Sequence, residues 1–569
     1  PAQSIGLEKA MPWDDETYYS RLSARYLRKE FSATKEISRA TLHICGLGMY
    51  ELFLNGKKVG DQVLAPAPTG FNKTVLYNTF DVTTQIKKGQ NAVGIALGTG
   101  RYYNMRQTYK PWKVPTYGYP KTRMVLIVEY TDGTKENIVT KDNWKLTADG
   151  PVRSNNEYNG EEYDARKELT GWDNAGFDDS QWQNAQRVRF PDGELRAQMM
   201  PGMKVLKKLL PVSIKALGDK FILDMGQNMV GWLRIKVRGN AGDSVILRFA
   251  ETLQTSGELY TANLRSARQT DVYVLKGNKA GEEWAPAFVY YGFRFVEIKG
   301  LNYTPEITDF SGEVVSDDME QLGSISTSND VLNQVLENAW WGVLGNYKGM
   351  PVDCPQRDER QPWLGDRATG CWGESYLFDN NLMYAKWGND IRDAQRQDGC
   401  IPDVAPVYLT YYTDNVTWPA TLPFLCDMTY TQFGNKKPIE DNYQAIKKWM
   451  AHMEKNYLTA DYLMTKDEYG DWCMPPEDLK MIHSQDPNRI TDGTLISTAY
   501  YYKILGVMTR FAKLQNLKAD AKQFADLAQK VKSGFNAKFF RTDSLFYGNN
   551  TVTSNLLPLA FGMVPKQYT

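Results

Sequence analysis

Histidine is the scarcest chemically useful side chain here: His43, His452 and His483 are the only three in 569 residues. None stands in an HExxH or comparable spacing, so no local histidine metal site is written. Six cysteines, Cys45, Cys354, Cys371, Cys400, Cys426 and Cys473, are scattered without a CxxC pair, which speaks against a zinc knuckle, a thioredoxin-like centre and a dense disulfide framework. An excess of either charge is also lacking. Lys and Arg number 67 and Asp and Glu 67, leaving a net charge of +0, and no basic run stands out, so the electrostatic footprint of a nucleic-acid or membrane-surface binder is missing. No apolar run reaches the roughly 18 residues of a membrane span. Gly46-Leu47-Gly48 and Gly98-Thr99-Gly100 lack the third glycine of a dinucleotide fold and read as strand-end turns; there is no P-loop. Neither a cofactor nor a catalytic metal is expected. Calcium could find ligands among the many acids, but no EF-hand loop is present.

Aromatic residues are abundant, at 12 % with 15 Trp and 34 Tyr. Such faces suit sugar rings, although β-rich cores also absorb them. A chain of this length exceeds one core, since domains run to about 100–200 residues. Residues 1–204 read as an antiparallel β-sandwich region, with period-two segments at 41–45, 50–54, 91–97 and 124–130 and a hairpin turn at Asn55-Gly56. Within it, the polar loop from Asn159 to Arg166 could touch a substrate or brace a neighbouring domain, and bracing is the favoured expectation. Residues 205–313 read as a second β-sandwich, with strands at 221–228, 231–237, 243–249 and 293–298. From 314 to 569 helices take over. Ser328 can cap a helix whose Leu332, Val335, Leu336, Ala339 and Val343 share one face expected to be buried, and similar spacing recurs over 443–455, 495–514 and 524–540.

Chemistry concentrates in Asp353-Cys354-Pro355-Gln356-Arg357-Asp358-Glu359-Arg360-Gln361-Pro362-Trp363-Leu364-Gly365-Asp366, which sets four carboxylates, two guanidinium groups and an indole within fourteen residues. Pro355 and Pro362 keep it from being helical throughout. A solvated loop face or structural ion-pair network would have a similar composition. A carboxylic acid kept protonated beside Trp, with ionised neighbours to grip hydroxyls, is also what glycoside hydrolysis needs. Glu359 has the longer reach, and Trp363 four residues on is expected to raise its pKa by desolvation; Asp358 is the rival. Asp353, Asp358 and Asp366 suit hydroxyl binding or pairing with Arg357 and Arg360. Two later loops, 411–419 and 468–477, couple an acid to Trp418 and Trp472.

The 353–366 motif resembles the signature of bacterial α-L-rhamnosidases, inverting glycosidases with an (α/α)6 catalytic toroid. The likeness extends backward through Leu27–Phe31, Tyr50–Leu52 with Asn55-Gly56, Tyr77–Thr83, Gly160–Arg166 and Asp224–Asn228, and so covers essentially the whole chain. It implies two accessory β-sandwich units followed by an incomplete all-α toroid. It also implies Glu359 as general acid, with Asp353, Arg357, Asp358, Trp363, Asp366, Trp418 and Trp472 about a rhamnose, whose C5 methyl an aromatic surface would favour. The family's water-activating Glu beside a Trp is not found. The base is expected beyond Thr569, or else at Asp471 or Glu477, and the chain alone is expected to hydrolyse poorly. The partner implied is a rhamnosylated glycan or glycoside, and the compartment, from what such enzymes digest, a bacterial periplasm or the cell exterior; the chain itself starts at Pro1 without Met, as a cleaved or trimmed protein does, and so carries little information on location. The competing readings are another (α/α)6 glycosidase, a polysaccharide lyase, which scarce His and an acid-rich motif disfavour, and a non-catalytic carbohydrate-binding surface protein.

Overall fold

A computed structural model describes residues 1–16, 21–103, 111–115 and 117–568; Thr569 lies outside them. The chain divides into two compact units, Pro1–Glu320 with Ser324–Gln361, and Gln321–Gly323 with Pro362–Thr569.

The first unit is β-structure. A seven-stranded sheet containing Ile37–Leu47, Thr74–Asp81 and Lys121–Tyr130 faces a six-stranded sheet containing Arg25–Ala33, Met49–Leu54 and Gly89–Gly98. Alternate residues of each sheet point inward: Leu42, Ile44, Leu126 and Val128 meet Leu27, Leu52, Val93 and Ile95 in one core. Asn55-Gly56 makes the expected tight turn, with φ of 52° and 78°, before Lys57–Lys58 pairs back on Met49–Leu54.

A third sheet of ten strands is built around Lys220–Val237, flanked by Tyr291–Lys299 and Phe310–Asp317. Segments 221–228 and 231–237, which read as two strands, are one. Its pairing slips between Asp224 and Met229, where Gly226 takes φ 72°, so a break in the alternation is a bulge and not a chain reversal. Phe310–Asp317 is a strand the sequence did not announce. The sheet also takes in Val152–Asn156, Gly160–Asp164 and Met203–Leu209, so the β regions do not part at one point of the chain. Gly160–Asp164 runs parallel to Thr270–Val274, and the polar loop braces as expected. Gly160, at φ 119°, lies so close to the Thr270 carbonyl that a Cβ would sit 2.0 Å from it.

Helix α1 (Asp330–Gly345) belongs to this unit. Its cap is Asn329, one residue after the expected Ser328, accepting from the backbone N–H of Val331 and Leu332. The face expected to be buried is not: Leu332 is 52 % and Val335 57 % exposed. Only the last turn packs, with Leu344 buried and the Leu344 carbonyl bonded by Ser316 Oγ. The three-four spacing does mark a helix, but periodicity alone does not say that a face is covered.

The second unit is helical: α2 (Gly370–Glu374), α3 (Asn381–Asp393), α4 (Thr421–Phe433), α5 (Lys437–Tyr457), α6 (Gly493–Leu514), α7 (Lys518–Phe539) and α8 (Val552–Ala560). Helix α5 buries Tyr443, Ile446, Trp449, Met450 and Met453 on one face, and α6 and α7 form an antiparallel hairpin about Leu495, Ala499, Phe535 and Phe539. Among the described residues no helix is long and apolar enough to cross a membrane.

Candidate active site

The 353–366 motif is shared between the units, parting after Gln361. In the first unit residues 353–361 form a closed loop. The Asp353 N–H donates to the Gln361 carbonyl at 2.9 Å, and the Gln361 N–H donates back to Asp353 Oδ1 at 2.5 Å. Arg360 anchors it. The side chain is wholly buried, donates to the carbonyls of Glu157 (2.6 Å), Tyr290 (2.8 Å), Gln356 (3.0 Å) and Arg357 (3.2 Å) and to Gln269 Oε1 (3.1 Å), and lies over the rings of Tyr158 and Tyr290. With its donors committed to the protein, Arg360 is an anchor, not the sugar grip that composition suggested. The Tyr158 hydroxyl and Arg101 guanidinium bond the carbonyls of Glu359 and Arg360, fixing the residue beside the anchor.

Arg357 bridges the two acids of interest. Its Nη2 lies 3.0 Å from Asp353 Oδ2 and its Nε 2.9 Å from Glu359 Oε2. A second cation, Arg265, reaches the same Glu359 oxygen at 3.0 Å from a turn in the third-sheet region, with its own backbone at φ 57°. Sequence reading missed Arg265, one of two arginines, with Arg268, in an unremarked loop nearly a hundred positions earlier. The sequence expected an indole to raise the acid. The first unit sets two guanidinium groups at Glu359, and the Asp353 carboxyl is pushed up to about 7 by burial and by the neighbouring Glu359 charge. Asp358, expected at the substrate, has a fully buried side chain that accepts from Ser266 Oγ and lies 3.7 Å from Arg265. It positions the Arg265 turn.

In the second unit residues 362–366 bring together aromatic faces. Trp363 is half-buried with its ring 5.2 Å from that of Tyr411, and its backbone bridges Val404. The Leu364 N–H donates to the Asp403 carbonyl, and Thr421 Oγ1 to the Leu364 carbonyl. Gly365 is required here: a Cβ would stand 2.2 Å from Cε2 of Trp418. The Trp418 ring lies 4.4 Å from that of Tyr469, and its Nε1 has no hydrogen-bond partner among the described residues. Behind these rings the buried Asp403 carboxylate accepts from Thr413 Oγ1 (2.8 Å) and the Tyr469 hydroxyl (3.2 Å). Asp403 went unremarked in the sequence because nothing local marks it. Asp366 is exposed on a 3-10 turn, Gly365–Arg367. Trp472 is 53 % exposed with His483 as its ring neighbour. Of the two alternative bases, Asp471 accepts from the Thr491 N–H and Thr553 Oγ1, and Glu477 is paired with Arg489 and Ser484.

Carboxylates bridged by guanidinium in one unit, and an indole-lined wall with a buried acid in the other, are features of carbohydrate chemistry, and comparison with known proteins agrees. The family model for the α-L-rhamnosidase N-terminal domain matches residues 35–207, that for the bacterial α-L-rhamnosidase concanavalin-like domain residues 214–316, and that for the bacterial α-L-rhamnosidase six-hairpin glycosidase domain residues 320–569. An α-L-rhamnosidase of Streptomyces avermitilis is 35 % identical over 555 residues, 95 % of this chain and 51 % of that protein. A solved α-L-rhamnosidase structure from Dictyoglumus thermophilum superposes with a TM-score of 0.91 at 37 % identity, covering 100 % of this chain and 63 % of that one. The Streptomyces avermitilis α-L-rhamnosidase complexed with L-rhamnose gives 0.89 at 33 % identity, covering 96 % and 52 %. The chain spans 51 to 59 % of the length of the curated relatives it matches. With three of the family's domain types matched in order and extensive likeness to its solved structures, the chain belongs to the bacterial α-L-rhamnosidase family.

Proposed function

We propose that this protein removes terminal α-L-rhamnose from glycosides or polysaccharides by hydrolysis with inversion, with Glu359 as general acid. The observation that carries the reading is the Arg357 bridge between Asp353 and Glu359. Beside that bridge, burial and the neighbouring Glu359 charge push the Asp353 carboxyl up to about 7, so Asp353 holds a proton near neutrality. In the reaction Glu359 gives its proton to the glycosidic oxygen as the bond to the anomeric carbon breaks. The carboxylate left behind rests between Arg357 and Arg265, which stabilise it. Water adds to the opposite face of the sugar and yields its proton to a general base. Trp363 and Trp418 offer apolar faces to the C–H bonds and the C5 methyl, Asp366 and Trp472 are retained as outer contacts, and Asp403 orients the wall. The substrate is a neutral rhamnosylated glycan or glycoside, in keeping with the balanced charge, met in the periplasm or outside the cell.

A second reading gives the proton-donor role to Asp353, favoured by its raised carboxyl. Against it, both Asp353 oxygens are engaged, by the Gln361 N–H and by Arg357. The activity is tested by incubating the purified protein with p-nitrophenyl α-L-rhamnoside and a panel of other pyranosides while following the released sugar by proton NMR. Release confined to the rhamnoside, with the β-anomer of L-rhamnose appearing first, is expected. Cleavage of another pyranoside in preference, or first appearance of the α-anomer, overturns the substrate or the stereochemistry respectively.

A further inference from the structure

Three side chains that the proposed reaction does not use converge in the second unit. Cys400 Sγ lies 2.9 Å from Asp414 Oδ1, and His452 Nε2 lies 3.0 Å from Asp414 Oδ2 and 3.1 Å from Oδ1. One donor atom from each falls within 4.8 Å of the others. We propose that Cys400, Asp414 and His452 bind one divalent, borderline-soft cation, zinc, which staples the 411–418 loop to helix α5.

Each part of the fold contributes to the convergence. His452 projects from the last turns of α5. The turn bearing Cys400 reaches it only because position 399 is glycine: at φ 104°, a Cβ there would stand 2.7 Å from the Lys448 carbonyl and 3.0 Å from the His452 Cβ. Gln395 Nε2 ties that turn down through the carbonyls of Gly399 and Ala445, both at 2.9 Å. Asp414 arrives in a left-handed conformation, φ 60°, which a non-glycine residue adopts at a cost and which here aims its carboxylate at the other two. The loop before it is fastened to the same turn by the Tyr412 hydroxyl, on the Ala394 carbonyl, and by Arg396 stacked over the Tyr412 ring at 3.7 Å.

The donor set fits the cation. Thiolate, imidazole and carboxylate with one open position is a three-ligand zinc arrangement, whose tetrahedral bonds of about 2.0–2.3 Å set donor-to-donor edges of roughly 3.3–3.5 Å. The two separations to Asp414, 2.9 and 3.0 Å, are within about 0.6 Å of those edges, and the Cys400 and His452 donor atoms lie within 4.8 Å of each other. The Cys400 contact is closer than the sulfur–carbonyl contact of the buried Cys426, 3.3 Å to Pro438. Tyr457, also from α5, donates its hydroxyl to Asp414 Oδ2 at 2.8 Å and would orient the carboxylate from behind. The fourth position falls to water, since the His452 and Asp414 side chains remain 10 % and 16 % exposed.

Without a cation the three groups hold one another: Cys400 and Tyr457 donate to Asp414, whose carboxyl lies below the usual range because hydrogen bonds from Cys400, His452 and Tyr457 outweigh burial. Burial pushes the Cys400 thiol up. Binding reverses that preference, as a bound cation does: the Cys400 thiol loses its proton to solvent, its sulfur and one Asp414 oxygen bond the metal with neutral His452 Nε2, and waters leave the cation. No electron is transferred, and thiolate and carboxylate balance the two charges of the ion. The loop so fixed carries Thr413, which holds Asp403, and Trp418, so a metal would act by steadying the wall and not by touching the sugar.

Cobalt(II) reports the site directly. The purified protein, stripped with chelator, is titrated with cobalt(II) and then with zinc(II), and thermal unfolding is followed at each stage. The expected result is one equivalent bound, a thiolate-to-cobalt charge-transfer band lost on zinc addition, and an unfolding midpoint higher by about 5 °C with zinc than without. Cys400→Ser should abolish the band and the shift, as should His452→Gln, while Cys473→Ser, which alters the exposed cysteine, should leave both. Absence of a stoichiometric band in the wild-type protein overturns the proposal, as does a band that survives Cys400→Ser or disappears in Cys473→Ser. The wild-type titration stands by itself should a variant fail to fold.

Discussion

The two halves of one fourteen-residue motif are held by different scaffolds and carry different chemistry. Residues 353–361 sit in the β unit, where a loop closed by its own backbone and pinned by a buried arginine fixes two carboxylates at hydrogen-bond distance from Arg357. Residues 362–366 sit in the helical unit, where Trp363, Tyr411, Trp418 and Tyr469 pack as faces around a backbone that needs glycine. The proton transfer proposed for the first half depends on tenths of an ångström, and that half is over-determined by directional bonds. The sugar contact proposed for the second needs area and tolerates small shifts, and that half is built from rings.

The largest effect that would sharpen this contrast is on folding. Arg360→Ala leaves four carbonyls and a side-chain amide without their buried donor, and is expected to cost about 3–5 kcal/mol, read as a lowered urea midpoint, in line with breaking a buried charged network. Arg357→Ala, whose side chain is 31 % exposed, should cost less than about 1.5 kcal/mol while removing most of the activity. Equal stability losses would erase the distinction between anchor and reactive bridge.

A smaller effect is expected in the helical half. Gly365→Ala drives a methyl to 2.2 Å from the Trp418 ring, which must turn aside. KM for a rhamnoside should rise about tenfold with kcat changed less than about threefold, the pattern of lost uniform binding. A fall in kcat with KM unchanged would place Trp418 in the transition state instead.

The smallest effect concerns the β scaffold away from the motif. Burial pushes the Asp271 carboxyl up to about 7, and the unfolded chain releases the same proton near about 4. Between those values the folded protein binds the extra proton, so this group makes stability fall as pH rises from about 4 to about 7, with no further loss above. Asp271→Asn should flatten that slope in thermal midpoints across the window. An unchanged slope would show that Asp271 does not carry it.

Much of this was legible because it was local. Asp353, Arg357, Glu359, Trp363 and Gly365 lie in one stretch, and the turn at Asn55-Gly56 and the helices at 437–457 and 493–514 announce themselves by short-range pattern. What could not be read was convergence across the chain: Arg265 at Glu359, Asp403 behind the rings, and Cys400 beside Asp414 and His452. The burial of Arg360 and Asp358 was not foreseen for a related reason. Within the motif they look like their neighbours, and only the packed fold turns them inward. The exposed face of α1 shows the converse, a pattern read correctly with its burial assumed.

The most direct measurement of the central claim is the leaving-group dependence of Glu359→Gln and Asp353→Asn. A lost general acid matters most where the departing alcohol needs protonation, by about 10²–10⁴-fold. Glu359→Gln is expected to lose about 10³-fold on an alkyl α-L-rhamnoside and less than about tenfold on the 2,4-dinitrophenyl rhamnoside, with Asp353→Asn losing similarly on both. Equal losses on both substrates for Glu359→Gln, or the selective loss in Asp353→Asn, would contradict the assignment of the proton to position 359.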